Sequence, residues 1–186
     1  PLKENLAAAI LLRAGWPAIA ATGGAFVDPM CGSGTFAIEA ALIAANIAPG
    51  LSREGFGFER WKQHDAGSWQ AIRTEAQSQS APELLTRGRI RGFDRDPVVL
   101  RDAALNAERA GLADRILFQR SELANLPAAP APTGLIAVNP PYGERIGETE
   151  ELRTLYALLG ERLRVGYRGW EAAVFTGNPA LGRELG

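Results

Sequence analysis

The sequence has one cysteine, one histidine and one methionine in 186 residues. A lone Cys31 cannot close an internal disulfide, and such sparse use of cysteine fits a reducing, cytoplasmic compartment. The lone histidine, His64, stands in a polar stretch remote from the motifs below and is expected to be structural or exposed. No metal-ligand set is expected. Charge of one sign is lacking too: 20 Lys and Arg face 21 Asp and Glu, for a net charge of -1. No global basic field therefore advertises nucleic acid, and any phosphate grip must be local or lie elsewhere. No apolar run approaches the roughly 20 residues of a membrane span, and no signal peptide is visible. The chain opens at Pro1 and carries its only methionine at Met30, so it reads as a piece of something longer.

What is present is a 46% hydrophobic chain, enough for one domain with a core. Residues 3–14, "KENLAAAILLRA", predict a helix with Leu6, Ile10 and Leu11 on one face, ended by Gly15 and Pro17. Short apolar strands are expected at 25–29, 89–94, 115–119, 134–139 and 171–176. Helices are expected at 32–48 (after a glycine loop), 97–110 and 150–165. Residues 50–88 read as an insertion with a helix near 66–79, anchored by Phe56, Trp61 and Trp69. Strands alternating with helices imply an α/β fold, a mostly parallel sheet with helices on both faces. Residues 1–186 thus read as one domain.

The stretch "VDPMCGSGT" puts Asp28 at the end of the first strand, then Gly32, Ser33 and Gly34, then a helix. Glycines there let a ligand approach the backbone, at the strand ends where open α/β sheets bind ligands. A P-loop is excluded, because no Gly-Lys-Ser/Thr follows. Gly32 to Ala37 fits the dinucleotide pattern G-x-G-x-x-A, which alone is weak. S-adenosylmethionine is the other ligand: it is cationic and carries no phosphate, so it suits an acid before the glycines that would repel a pyrophosphate. A tight strand-to-helix turn with no ligand is a third reading. In "GFDRDP", Asp94 ends the second strand, where a carboxylate can accept ribose hydroxyls, and Asp96 is placed to cap the helix beginning at Pro97. Glu122, after the third strand, could meet an adenine amino group.

The stretch "VNPPYGER" follows the fourth strand at the same edge. The lone pair of an exocyclic amine on a base is delocalised into the ring. Two acceptors, one for each N–H, favour a tetrahedral nitrogen with its lone pair exposed. The Asn139 side-chain oxygen and the Pro140 carbonyl could be those two, the latter held by proline's fixed φ. Tyr142 offers a ring for stacking on a flipped-out base. The bland alternative is a rigid turn with a packed tyrosine.

"DPMCGSGT", "GFDRDP" and "NPPYGER" resemble the methyltransferase domain of the bacterial 23S rRNA guanine-N2 methyltransferase family that follows an RNA-binding THUMP domain. "PLKENLAAAILLRAGW" and "GFGFERW" resemble it as well, so the likeness spans essentially the whole chain. The resemblance implies a Rossmann-like S-adenosylmethionine-dependent fold. It implies cofactor contacts at Asp28, Cys31, Gly32, Ser33, Gly34, Asp94 and Glu122, and a target amine held by Asn139, Pro140 and Tyr142. It also implies 23S ribosomal RNA as partner, through an upstream RNA-binding domain, and a final strand hairpin beyond Gly186. The family usually carries Asp where Glu122 stands. Other acceptors compatible with these residues are adenine N6 in nucleic acid and a glutamine amide. A nicotinamide oxidoreductase would leave "NPPY" without a role, and a non-catalytic RNA-binding domain is the remaining alternative.

Overall fold

The computed structural model describes residues 2–143 and 149–186. Among the described residues, five strands form one sheet: β1 (Ala25–Asp28), β2 (Ile90–Asp94), β3 (Ile116–Arg120), β4 (Gly134–Val138) and β5 (Glu171–Val174). Every pairing is parallel and the order is β3-β2-β1-β4-β5. All residues of β1 and β4 are buried. Both strands read as unbroken apolar runs because helices cover the sheet on both faces.

The described residues also form seven α-helices: α1 (Glu4–Arg13), α2 (Trp16–Ala21), α3 (Thr35–Ala44), α4 (Ala66–Ser78), α5 (Pro97–Arg109), α6 (Thr149–Gly166) and α7 (Pro179–Gly182). One core layer joins Ala7, Leu11, Trp16, Phe36, Ala40 and Ala107 of the helices to Phe26, Ile90, Ile116 and Leu135 of the strands. The other joins Val27, Phe93, Ile136 and Val138 to Leu159 of α6, with Leu123, Leu126 and Tyr167. Strand order reverses beside β1, so the carboxyl ends of β1 and β4 open side by side. That is the switch point where such sheets form a crevice.

The expected strands and long helices are all present, with ends shifted by a few residues. Asp96 caps α5 as expected, its Oδ1 accepting the Val98 N–H at 2.7 Å. The inward face of α1 differs from the expectation. Ala7 and Leu11 are fully buried, whereas Leu6 is exposed, because a small residue lets α1 come close to α3. Gly15, at φ 75°, does end α1. Pro17 instead opens the unforeseen helix α2, where a first-turn proline lacks only an unpaired N–H. In the insertion, Phe56 and Trp69 pack with Phe58, at ring distances of 5.3 and 5.0 Å from Trp69. Trp61, expected as an anchor, is 70% exposed.

Candidate active site

Asp28 ends β1 and is almost wholly buried. Its Oδ1 accepts the Met30 N–H at 3.1 Å. Burial pushes the carboxyl up to about 8; the Met30 N–H opposes the rise and nearby Asp94 adds to it. No ion pair reaches Asp28 among the described residues. Asp28 is thus a buried acid with no paired cation among the described residues.

The two glycines of the loop have different tasks. Gly32, at φ 51°, would carry a Cβ into open space, with nothing within 4 Å. Its bare backbone faces room for a ligand. Gly34, at φ 85°, would carry a Cβ 2.9 Å from Phe118 Cζ and 3.1 Å from Ala103 Cβ. It is glycine because α3 starts against β3 and α5. Gly34→Ala combines left-handed strain with overpacking and should destabilise the fold by roughly 2–4 kcal/mol. A denaturant midpoint equal to that of the wild type would refute this.

Asp94 joins the two loops. Its Oδ2 accepts the Gly32 N–H at 2.9 Å and its Oδ1 accepts the Asp96 N–H at 3.0 Å. Each oxygen keeps a lone pair for a ligand hydroxyl. The Ser33 carbonyl accepts from Asn106 Nδ2 of α5 at 3.1 Å, a support the sequence did not announce. Cys31 is buried, its N–H donating to the Phe93 carbonyl at 2.8 Å. Burial, with Asp28 and Asp94 nearby, pushes its thiol up, so it stays neutral and unreactive. Glu122 is exposed at the end of β3.

Two pockets flank Met30. One, of about 390 Å³, is lined by Met30, Asp94, Glu122, Leu123, Asn139 and Pro141 among others. The second, of about 340 Å³, is lined by Asp28, Cys31, Gly32, Ser33, Phe36 and Asn139 among others. Asn139 belongs to both. Its Oδ1 is shielded from solvent and has no hydrogen-bond partner among the described residues. An orphaned buried acceptor is costly, by about 1–3 kcal/mol, and such atoms are rare without a purpose. Pro140 is buried, and its carbonyl accepts no hydrogen bond among the described residues. Tyr142 is 38% exposed. Glu144 and Arg145, the end of the "NPPYGER" stretch, lie outside the described residues. His64 sits apart in the insertion, tilted against Phe58 at 5.7 Å.

Of the sequence candidates, Asp94, Glu122 and Asn139 line the first pocket, Asp28, Cys31, Gly32, Ser33 and Asn139 line the second, and Gly34, Pro140 and Tyr142 line neither. The Asn139 Oδ1 and the Pro140 carbonyl are both without a donor among the described residues.

The chain matches the family described as RMKL-like, methyltransferase domain, over residues 1–185. It is similar to proteins named "Ribosomal RNA large subunit methyltransferase K/L". That of Allochromatium vinosum is 56% identical over 187 residues, covering 100% of this chain and 25% of the relative. That of Pseudomonas aeruginosa is 52% identical over 189 residues, covering 100% and 26%. The chain spans about a quarter of the length of the curated relatives it matches. Among solved structures, SMU.472 complexed with SAH is 36% identical with a TM-score of 0.88, covering 100% of this chain and 47% of that one. A protein from Listeria monocytogenes, described as a predicted N6-adenine-specific DNA methylase, is 36% identical with a TM-score of 0.87 and the same coverage.

Proposed function

The chain belongs to the RMKL-like methyltransferase domain family, and from that premise we propose that it transfers the methyl group of S-adenosylmethionine to the exocyclic N2 amine of a guanine in 23S ribosomal RNA. Residues 1–186 act as the catalytic domain of a longer cytoplasmic protein whose upstream RNA-binding domain delivers the substrate. The names of the relatives more than half identical to this chain support ribosomal RNA. The SAH complex of a relative 36% identical supports the cofactor, since SAH is S-adenosylhomocysteine, the demethylated product.

The single observation that carries the reading is the orphaned Asn139 Oδ1. When bound, S-adenosylmethionine supplies an electrophilic methyl group on a positively charged sulfur. Asp28 would provide the counter-charge to that cation. Gly32, with Cys31, Ser33 and Gly34, forms the cradle, and Asp94 and Glu122 accept from the ribose and adenine ends. Asn139 and Pro140 each accept one N–H of the target amine, which favours a tetrahedral nitrogen with its lone pair exposed. Tyr142 stacks on the base. No residue need remove a proton before attack, in keeping with a site that holds no histidine.

The test is mass analysis of nucleosides after reaction with isotopically labelled S-adenosylmethionine. N2-methylguanosine from 23S RNA is the expected product. N6-methyladenine would instead favour the second reading, an adenine acceptor, which the description of the Listeria relative motivates.

RNA binding by this chain alone should be weak. Arg153 pairs with Glu150 and Glu184, and Arg162 lies 4.0 Å from Glu161, so the arginine-rich α6 is partly neutralised. The log–log salt slope should accordingly be shallow. Submicromolar filter binding at physiological salt would contradict this.

A further inference from the structure

Past β5 the chain enters a turn, Thr176-Gly177-Asn178, to which methyl transfer as described assigns nothing. We infer that this turn is the back wall of the target-base slot, and that Gly177, by lacking a side chain, sets where the Tyr142 ring lies. The inference rests on the stacking role given to Tyr142 above.

The turn is pinned. The Phe175 N–H donates to the Val138 carbonyl at 2.9 Å, which ties the end of β5 to the residue before Asn139. The Tyr156 and Thr176 hydroxyls share a hydrogen bond of 2.8 Å, and Tyr156 is completely buried. Thr176 Oγ1 accepts the Asn178 N–H at 3.2 Å, and Asn178 Oδ1 caps α7 at the Ala180 N–H, 3.0 Å away. Tyr142 leans on this turn. A methyl group added at Gly177 would stand 3.0 Å from Tyr142 Cε2, 3.2 Å from Cδ2 and 3.5 Å from Cζ. Gly177 does not occupy the left-handed region, so its backbone would admit alanine without strain. Space for the ring is what glycine provides here.

With the turn fixed and the ring partly exposed, an added methyl displaces the ring. A base stacked on it shifts relative to Asn139, three residues away. A misplacement near 1 Å at a reacting centre can cost about 10² in rate.

The test is Gly177→Ala in the purified enzyme, with Gly182→Ala as control, because a methyl there meets only Thr176 Cγ2 at 3.9 Å. The chain has three tyrosines, so 13C-tyrosine labelling with Tyr142→Phe for assignment follows the ring directly. Gly177→Ala should shift the Tyr142 resonances and lower kcat/KM for RNA about tenfold or more, with cofactor affinity kept. The double variant with Tyr142→Ala should be no worse than Tyr142→Ala alone. Unmoved Tyr142 resonances, an unchanged kcat/KM or additive losses would overturn the inference. Wild-type enzyme that transfers no methyl group to RNA would instead overturn the function proposed above, and the ring resonances would still decide whether Gly177 places Tyr142.

Discussion

Asn139→Ala is expected to bind the cofactor as the wild type does and to transfer methyl about 10²–10³ times more slowly, the usual cost of one preorganised polar group at a reacting centre. The expectation follows from where Asn139 stands. It comes directly after β4, whose five residues are buried, and β4 is held in register between β1 and β5. Pro140 follows and removes a backbone freedom. The side-chain oxygen is thus presented at a fixed point with no partner among the described residues. Its desolvation cost is already met in the folded protein, so an N–H arriving there gains a full hydrogen bond. Asn139→Asp keeps an acceptor in the same place and should retain partial activity, whereas Asn139→Ala keeps none. Single-turnover methyl transfer separates the variants, with cofactor affinity measured independently. Wild-type rates in Asn139→Ala would return "NPPY" to being a rigid turn.

The strands and both edge motifs could be read from the sequence because their signals are local. A buried parallel strand is an apolar run, and a loop that must approach a ligand shows glycine or proline at fixed points. The misjudged features depend on partners far away in sequence. Leu6 outranks Ala7 in hydrophobicity, yet α3 accepts the smaller residue. Phe58 packs with Trp69 in the insertion while Trp61 faces solvent, and nothing in "FERW" distinguishes the two rings. Asp94 suggested a ribose contact but not the Gly32 N–H, 62 residues earlier, which it also accepts. The placing of Tyr142 against Gly177 is of the same kind, because a glycine that makes space for a distant ring looks in sequence like any turn glycine.

Asp28 should make cofactor binding depend on pH in the neutral range, where an ordinary surface carboxylate is already ionised. Its carboxyl, pushed up to about 8 chiefly by burial, holds its proton at neutral pH in the free protein. Unfolded, it loses that proton near 3.8. Between these values the folded state binds more protons than the unfolded one, so the stability of the cofactor-free protein falls as pH rises. Asp28→Asn cannot ionise and should lack this decline. Between pH 5 and 8 the wild type should lose on the order of 3–4 kcal/mol relative to it, or roughly 7–14 °C in melting temperature for a chain of this size. A bound cation reverses the preference at Asp28, because the carboxylate then has its counter-charge. Binding must therefore release a proton below about pH 8, and affinity should rise with pH toward that value and level off above it. Asp28→Ala removes the charged contact altogether and should weaken S-adenosylmethionine by about 1.5–3 kcal/mol, with no pH dependence left from this group. Calorimetry in two buffers of different ionisation enthalpy measures affinity and proton release together. Unchanged affinity in Asp28→Ala, or binding that releases no proton at pH 7, would remove Asp28 as the cation's counter-charge.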